Sequence, residues 1–87
     1  MFVVLCYDVR KERVARMLKV ARKYLRPVQR SVLDGFLTEA ELKRLKTEIF
    51  ELVDTEKDSI HFYRCDSPST LRKEQLGRYD DRNDRFL

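Results

Sequence analysis

A chain of 87 residues, 39% charged and 43% hydrophobic, makes one small domain over 1–87 with a single core and a modest reserve of stability, so self-association is expected to help it. Nothing in it approaches the roughly 18 consecutive apolar residues of a membrane span and no secretory leader is recognisable, so the reading is a soluble, cytoplasmic protein with no membrane role. The net charge of +4 is front-loaded: residues 1–30 carry nine Arg or Lys against Asp8 and Glu12, a balance of +7, while residues 31–87 carry ten basic and thirteen acidic side chains, a balance of −3. Such asymmetry marks either a surface for a polyanion such as RNA or DNA or a solvated helix face.

The first element is FVVLCY, apolar at every position and rich in β-formers, which predicts a central strand covered on both faces. From Lys11 to Leu25 the apolar residues Val14, Met17, Leu18, Ala21 and Leu25 recur at helical spacing, with Arg13, Arg16, Arg22 and Lys23 largely off that stripe. This is an amphipathic helix with a basic outer face. Pro27 ends it, because the residue before a proline is pushed out of the helical region.

VQRSVLDGFL then reads as extended, either one bent strand or two short ones, with Asp34 and Gly35 able to supply a turn or bulge. Thr38 followed by Glu41 predicts a capping box, and Leu37 and Leu42 flank it at the positions of a hydrophobic staple. The second helix runs to about Val53 and buries Leu42, Leu45, Ile49, Leu52 and Val53. After the polar DTEKD break, SIHFYRC is a second β-rich run, and the rest is polar apart from Leu71, Leu76, Tyr79, Phe86 and Leu87. Cys6 and Cys65 lie inside strand-like runs, which suits buried free thiols better than a disulfide or metal knuckle.

Strand, helix, extended pair, helix, strand matches the α+β, ferredoxin-like βαββαβ sandwich, with both helices on one face of an antiparallel sheet and the first and third strands central. The doubly apolar first strand then needs a cover on its second face, and a second copy of the chain is the simplest one. Asp8 lies where the central strand ends and the first helix begins. It reads either as a helix cap or turn residue or as a metal ligand, since Mg²⁺ keeps most of its water and often takes only one or two carboxylates. Two copies of Asp8 brought together in a dimer would suffice for phosphodiester hydrolysis.

The segment YDVRKERVARMLKVARKYLRPVQRSVLDGFLTEAEL resembles the CRISPR-associated protein two family. The shared pattern is an apolar strand ending in Tyr-Asp, a basic helix ending in Tyr-Leu, then Val-Gln-X-Ser-Val-X-X-Gly-X-Leu-Thr, and the likeness runs from Phe2 through SIHFYR. Leu33 departs from it, standing where many members carry phenylalanine. The resemblance implies a homodimer with Asp8 holding Mg²⁺, or Mn²⁺, at the interface as the catalytic carboxylate. It also implies that 66–87 is a C-terminal dimerisation segment whose LGRYDDRNDRFL crosses to complete the partner's sheet. The implied activities are endonuclease cleavage of RNA or DNA and partnership with the CRISPR integrase in spacer acquisition. A reading of another class is a non-catalytic ferredoxin-like module binding nucleic acid or an acidic protein through the basic first helix.

Around Asp8, Ser31 matches the family serine and its hydroxyl either donates to phosphate or makes a cross-strand bond. Tyr7 positions a phosphate or packs at the sheet edge. Arg13, Arg16 and Arg30 are expected phosphate contacts, since a guanidinium fork fits phosphate oxygens, and they would position nucleic acid without reading its sequence. His61, the only histidine, is expected to be structural or at the surface and not a general base.

Overall fold

The computed structural model describes the backbone of residues 1–67 and 70–77 and the side chains of residues 1–65. The elements are β1 (Phe2–Asp8), α1 (Lys11–Ala21), β2 (Arg26–Gln29), β3 (Val32–Phe36), α2 (Glu39–Leu52), β4 (Ser59–Ser67) and β5 (Thr70–Gly77). One sheet has the order β2-β3-β1-β4-β5, with every neighbouring pair antiparallel. The first four strands in this order are the ferredoxin-like arrangement, with β1 and β3 inside.

β1 owes its central place to alternation within an apolar run. Val3, Leu5 and Tyr7 join the cluster with Met17 and Ala21 of α1 and Leu42, Leu45 and Ile49 of α2, so both helices lie on that face. Val4 and Cys6 point the other way, into a smaller cluster with Val32 and Tyr63. β1 is therefore apolar on both sides, as its composition requires.

α1 stops at Ala21, four residues before the periodicity ends, and Arg22 is its C-cap. The chain leaves it through tight turns, with the Tyr24 and Leu25 amides both donating to the Ala21 carbonyl at 3.0 and 2.9 Å. Leu25 still reaches the core, only 5% exposed, which is why it kept the helical spacing without being helical. α2 begins with the expected reciprocal cap: the Thr38 hydroxyl accepts from the Glu41 amide at 3.1 Å, and Glu41 accepts from the Thr38 amide at 2.8 Å. Leu37 and Leu42 are both buried beside it.

The extended region resolves into two strands, but the turn is at Arg30 and Ser31 and not at Asp34 and Gly35. Ser31 takes φ 64°, a left-handed conformation that a non-glycine residue adopts at a cost of about 1–2 kcal/mol. Gly35 lies within β3, where a Cβ would meet Leu25 Cδ2 at 3.2 Å and the Tyr24 carbonyl at 3.5 Å, so its missing side chain serves close packing. β2 is an exposed edge along its whole length.

β5 was not foreseen from the sequence. It pairs along the whole of β4, from Ser59↔Gly77 to Ser67↔Thr70, so this part of the expected dimerisation segment, with Leu76 and Gly77 at the head of the stretch expected to cross, extends its own chain's sheet. A hairpin between neighbouring strands closes a short loop and pays little closure entropy, which favours pairing at home. The remainder of that segment, 78–87, lies outside the described residues.

Candidate active site at the end of the central strand

Asp8 is the last residue of β1 and is exposed. Period-2 alternation puts it on the face away from the helices, in line with Val4 and Cys6. The chain also brings its expected neighbours. The Tyr7 amide donates to the Ser31 carbonyl at 3.1 Å, continuing the β1–β3 ladder by one step past Cys6↔Val32. Tyr7, Asp8 and Ser31 thus share one end of the sheet, with exposed Arg30 next to Ser31 in the turn. Tyr7 itself points to the helix side and packs on the main core.

On the other flank, Asp8 is the register partner of Ser59. Opposed residues in a ladder present their side chains to the same face about 5 Å apart. Ser59 is fully buried, and its hydroxyl has no hydrogen-bond partner among the described residues.

The start of α1 is held by a different aspartate. Arg10 is the N-cap and its side chain makes no cap. The carboxylate of Asp58, just before β4, does so from a distance: Oδ1 accepts from the Arg10 amide at 2.9 Å and from Arg13 Nη2 at 2.9 Å, while Oδ2 accepts from Arg13 Nε at 2.6 Å and from the Asp54 amide at 2.9 Å. Asp58 is fully buried, and the Arg13 guanidinium fork, with two backbone amides, holds its carboxyl well below the usual aspartate range despite that burial. Two consequences follow for the sequence reading. The cap is Asp58 and not Asp8, and Arg13 is a structural partner with two guanidinium nitrogens committed, no longer a free phosphate fork. The sequence carries no local signal for this pair, because the partners are 45 residues apart and Asp58 ends a run that reads as a polar loop.

Arg16 is exposed in the second turn of α1 and is not brought against Asp8 by any contact seen here. His61 is the register partner of Cys6 and fully buried, so it is structural. Neither cysteine is in a disulfide; Cys6 is buried, which pushes its thiol up to about 11 and leaves it unreactive, while Cys65 is half-buried. Surface grooves run along α2, one lined by Ala40, Lys43, Arg44, Thr47 and Glu48, and another by Lys46, Thr47, Phe50 and Glu51. Neither includes Asp8. No helix among the described residues is long and apolar enough to cross a membrane.

Among the described residues no three His, Cys, Asp or Glu side chains come together to hold a metal ion. What the strand end does offer is hard oxygen, the exposed carboxylate of Asp8. That donor set fits Mg²⁺, which retains several waters and needs few protein ligands.

The model of the CRISPR associated protein Cas2 family matches residues 1–73, from the start of β1 into β5. This chain belongs to that family. The CRISPR-associated endoribonuclease Cas2 of Thermotoga maritima is 47% identical over 77 residues, 88% of each chain, and that of Dictyoglomus turgidum is 37% identical over the full length of both. Among solved structures, a crystal structure of Streptococcus pyogenes Cas2 at pH 6.5 superposes with TM-score 0.68 at 32% identity, covering 75% of this chain and 86% of that one. Another crystal structure of Cas2 gives TM-score 0.74 at 33% identity over 93% and 91%. The Cas2 match takes in every residue of the strand end described above, Asp8, Ser31, Asp58 and Ser59 included.

Proposed function

We propose that this Cas2 chain is a metal-dependent endonuclease that cuts RNA or DNA phosphodiesters in CRISPR defence, working as a homodimer with Asp8 of each copy at the shared site. The observation that carries the reading is the exposed Asp8 carboxylate at the end of the central strand, on the face opposite the helices. A site that is an open strand end and not a pocket suits a polymer substrate, and it leaves room for a second copy to complete it. The relatives' name of endoribonuclease makes RNA the first substrate to test.

Asp8 would hold Mg²⁺ or Mn²⁺ with water filling the remaining positions. When bound, the metal supplies an activated water and neutralises charge on the scissile phosphate. Arg30 and the Ser31 hydroxyl, carried by the turn beside Tyr7, bind and orient phosphate oxygens; Arg16, with Lys11, extends the positive surface along α1. Arg13 takes no part in this, being held by Asp58. The segment 78–87, with its terminal Phe86 and Leu87, is the part proposed to cross to the partner, and deleting it should raise the dimer dissociation constant measured by analytical ultracentrifugation. Partnership with the CRISPR integrase in spacer acquisition rests on family membership.

The test compares wild type and Asp8→Asn on single-stranded RNA and duplex DNA with Mg²⁺, Mn²⁺ or chelator, alongside an integrase pull-down. Asparagine keeps the size of the side chain and removes its charge. Cleavage should fall to background in the mutant and with chelator, while the dimer and the integrase complex survive. Equal metal-dependent cleavage by both proteins removes Asp8 from the mechanism.

A further inference from the structure

The turn between β2 and β3 is strained although it lies at the surface. Gln29 and Val32 are register partners, so Arg30 and Ser31 alone make the loop, and Ser31 holds φ 64°. A positive φ at the third of four turn residues is normally left to glycine or asparagine. A serine there accepts strain that glycine would remove. The Ser31 carbonyl is engaged, taking the Tyr7 amide at 3.1 Å, and that bond ties the turn to β1 one residue before Asp8. The amides of Arg30 and Ser31, by contrast, donate to no acceptor among the described residues. Arg30 is exposed and Ser31 half-buried, so both amides are within reach of a ligand from solvent. The surroundings are cationic: from Ala21 to Leu33 the chain holds Arg22, Lys23, Arg26 and Arg30 and no acidic residue. Glu48 pairs with Lys23 and Asp34 with Arg26, which leaves Arg30 as the cation of the turn itself.

From this geometry we infer that the β2–β3 turn is a main-chain phosphate site: the amides of Arg30 and Ser31 donate to phosphodiester oxygens of a bound strand, and the Arg30 guanidinium supplies the opposite charge. The inference rests on the proposed nucleic-acid reading and deepens it, moving part of the recognition of phosphate from side chains to backbone. Successive turn amides beside a left-handed residue make anion-binding concavities, and backbone N–H groups are regular donors to phosphate in nucleic-acid complexes. Amides fixed in a short hairpin have no rotamers to order on binding, unlike the long basic side chains of α1. They read nothing of the bases, so the turn grips any sequence alike. A two-residue turn at the surface encloses nothing, which suits one phosphate of a polymer held at several points better than a free anion.

The test is two-dimensional amide NMR of the isotope-labelled full-length protein, titrated with a short single-stranded RNA in the presence of chelator, for wild type, Ser31→Gly and Ser31→Val. Both variants lack the hydroxyl, but glycine accepts the left-handed conformation and a β-branched residue opposes it. In wild type the Arg30 and Ser31 amide protons should move downfield as RNA is added, as protons do on gaining an acceptor. Ser31→Gly should keep that movement at both positions. Ser31→Val should lose it and bind RNA roughly 3- to 10-fold more weakly than Ser31→Gly, the worth of about one net hydrogen bond. Movement that disappears in Ser31→Gly assigns the contact to the hydroxyl and overturns the main-chain site, whether or not Ser31→Val folds. RNA that shifts the amides of Lys11 and Arg16 while leaving Arg30 and Ser31 still overturns the role of the turn and leaves the nucleic-acid reading standing. RNA that shifts no amide anywhere overturns both.

Discussion

Asp8 and Asp58 sit at the same end of the sheet, one closing β1 and the other preceding the residue that pairs with it, yet the fold treats them oppositely. Asp58 is buried with four donors converging on its two oxygens, and its environment stabilises the charged form. Asp8 is exposed, two residues ahead of a helix N-cap that it does not serve. A carboxylate saturated by its own chain is architecture. One at the end of the central strand is exposed to solvent, and Asp58 is fastened next to Ser59, the register partner of that strand end.

The most severe way to break this contrast is Asp58→Ala. Truncation strands the Arg13 guanidinium and the Arg10 and Asp54 amides together, and breaking a buried ion pair by removing one partner should cost about 3 kcal/mol or more, measured by urea denaturation. Acid should reproduce part of this loss. A carboxyl whose folded pKa is depressed stabilises the protein above its unfolded pKa of about 4 and surrenders that stability as pH falls further. The stability gap between wild type and Asp58→Asn should therefore narrow progressively below about pH 4, and a gap independent of pH there would show that the charge of Asp58 is not what matters.

A smaller effect is expected from Thr38→Ala, which tests a helix start capped locally against one capped from across the fold. Loss of the reciprocal bonds with Glu41 should cost about 1 kcal/mol in the same denaturation experiment. A cost equal to that of Asp58→Ala would mean that the α1 clamp is no more than an ordinary cap. The least effect belongs to Asp8→Asn, which should change stability by no more than about 0.5 kcal/mol in either direction. A large loss would place Asp8 with Asp58 among the structural carboxylates and defeat the contrast. Nucleic-acid binding sharpens it from another side: Arg16→Ala and Arg30→Ala should each lower the slope of log affinity against log salt by about one. Arg13→Ala should instead lower stability first, seen as a drop in melting temperature.

Much of this protein was legible in its sequence because the signals concerned are local and periodic. The uniformly apolar FVVLCY predicted a two-sided central strand, the Thr38–Glu41 spacing predicted the cap of α2, and the strand-helix order predicted the ferredoxin-like sandwich, with the Tyr-Asp and Val-Gln-X-Ser-Val patterns pointing to the family. Tertiary structure decided what depends on partners far apart in the chain. Leu25 kept helical spacing while leaving the helix for the core, Gly35 proved to be a packing contact instead of a turn, and Thr70–Gly77 became a strand because β4 had an edge to fill. The Arg13–Asp58 clamp and the Asp8↔Ser59 pairing are invisible to any window of the sequence, since a charge acquires its role only when folding sets a specific group opposite it. Local pattern specifies which elements form; the desolvation and pairing of polar groups, settled between elements, specifies that Asp58 is buried holding the fold while Asp8 lies exposed at the end of β1.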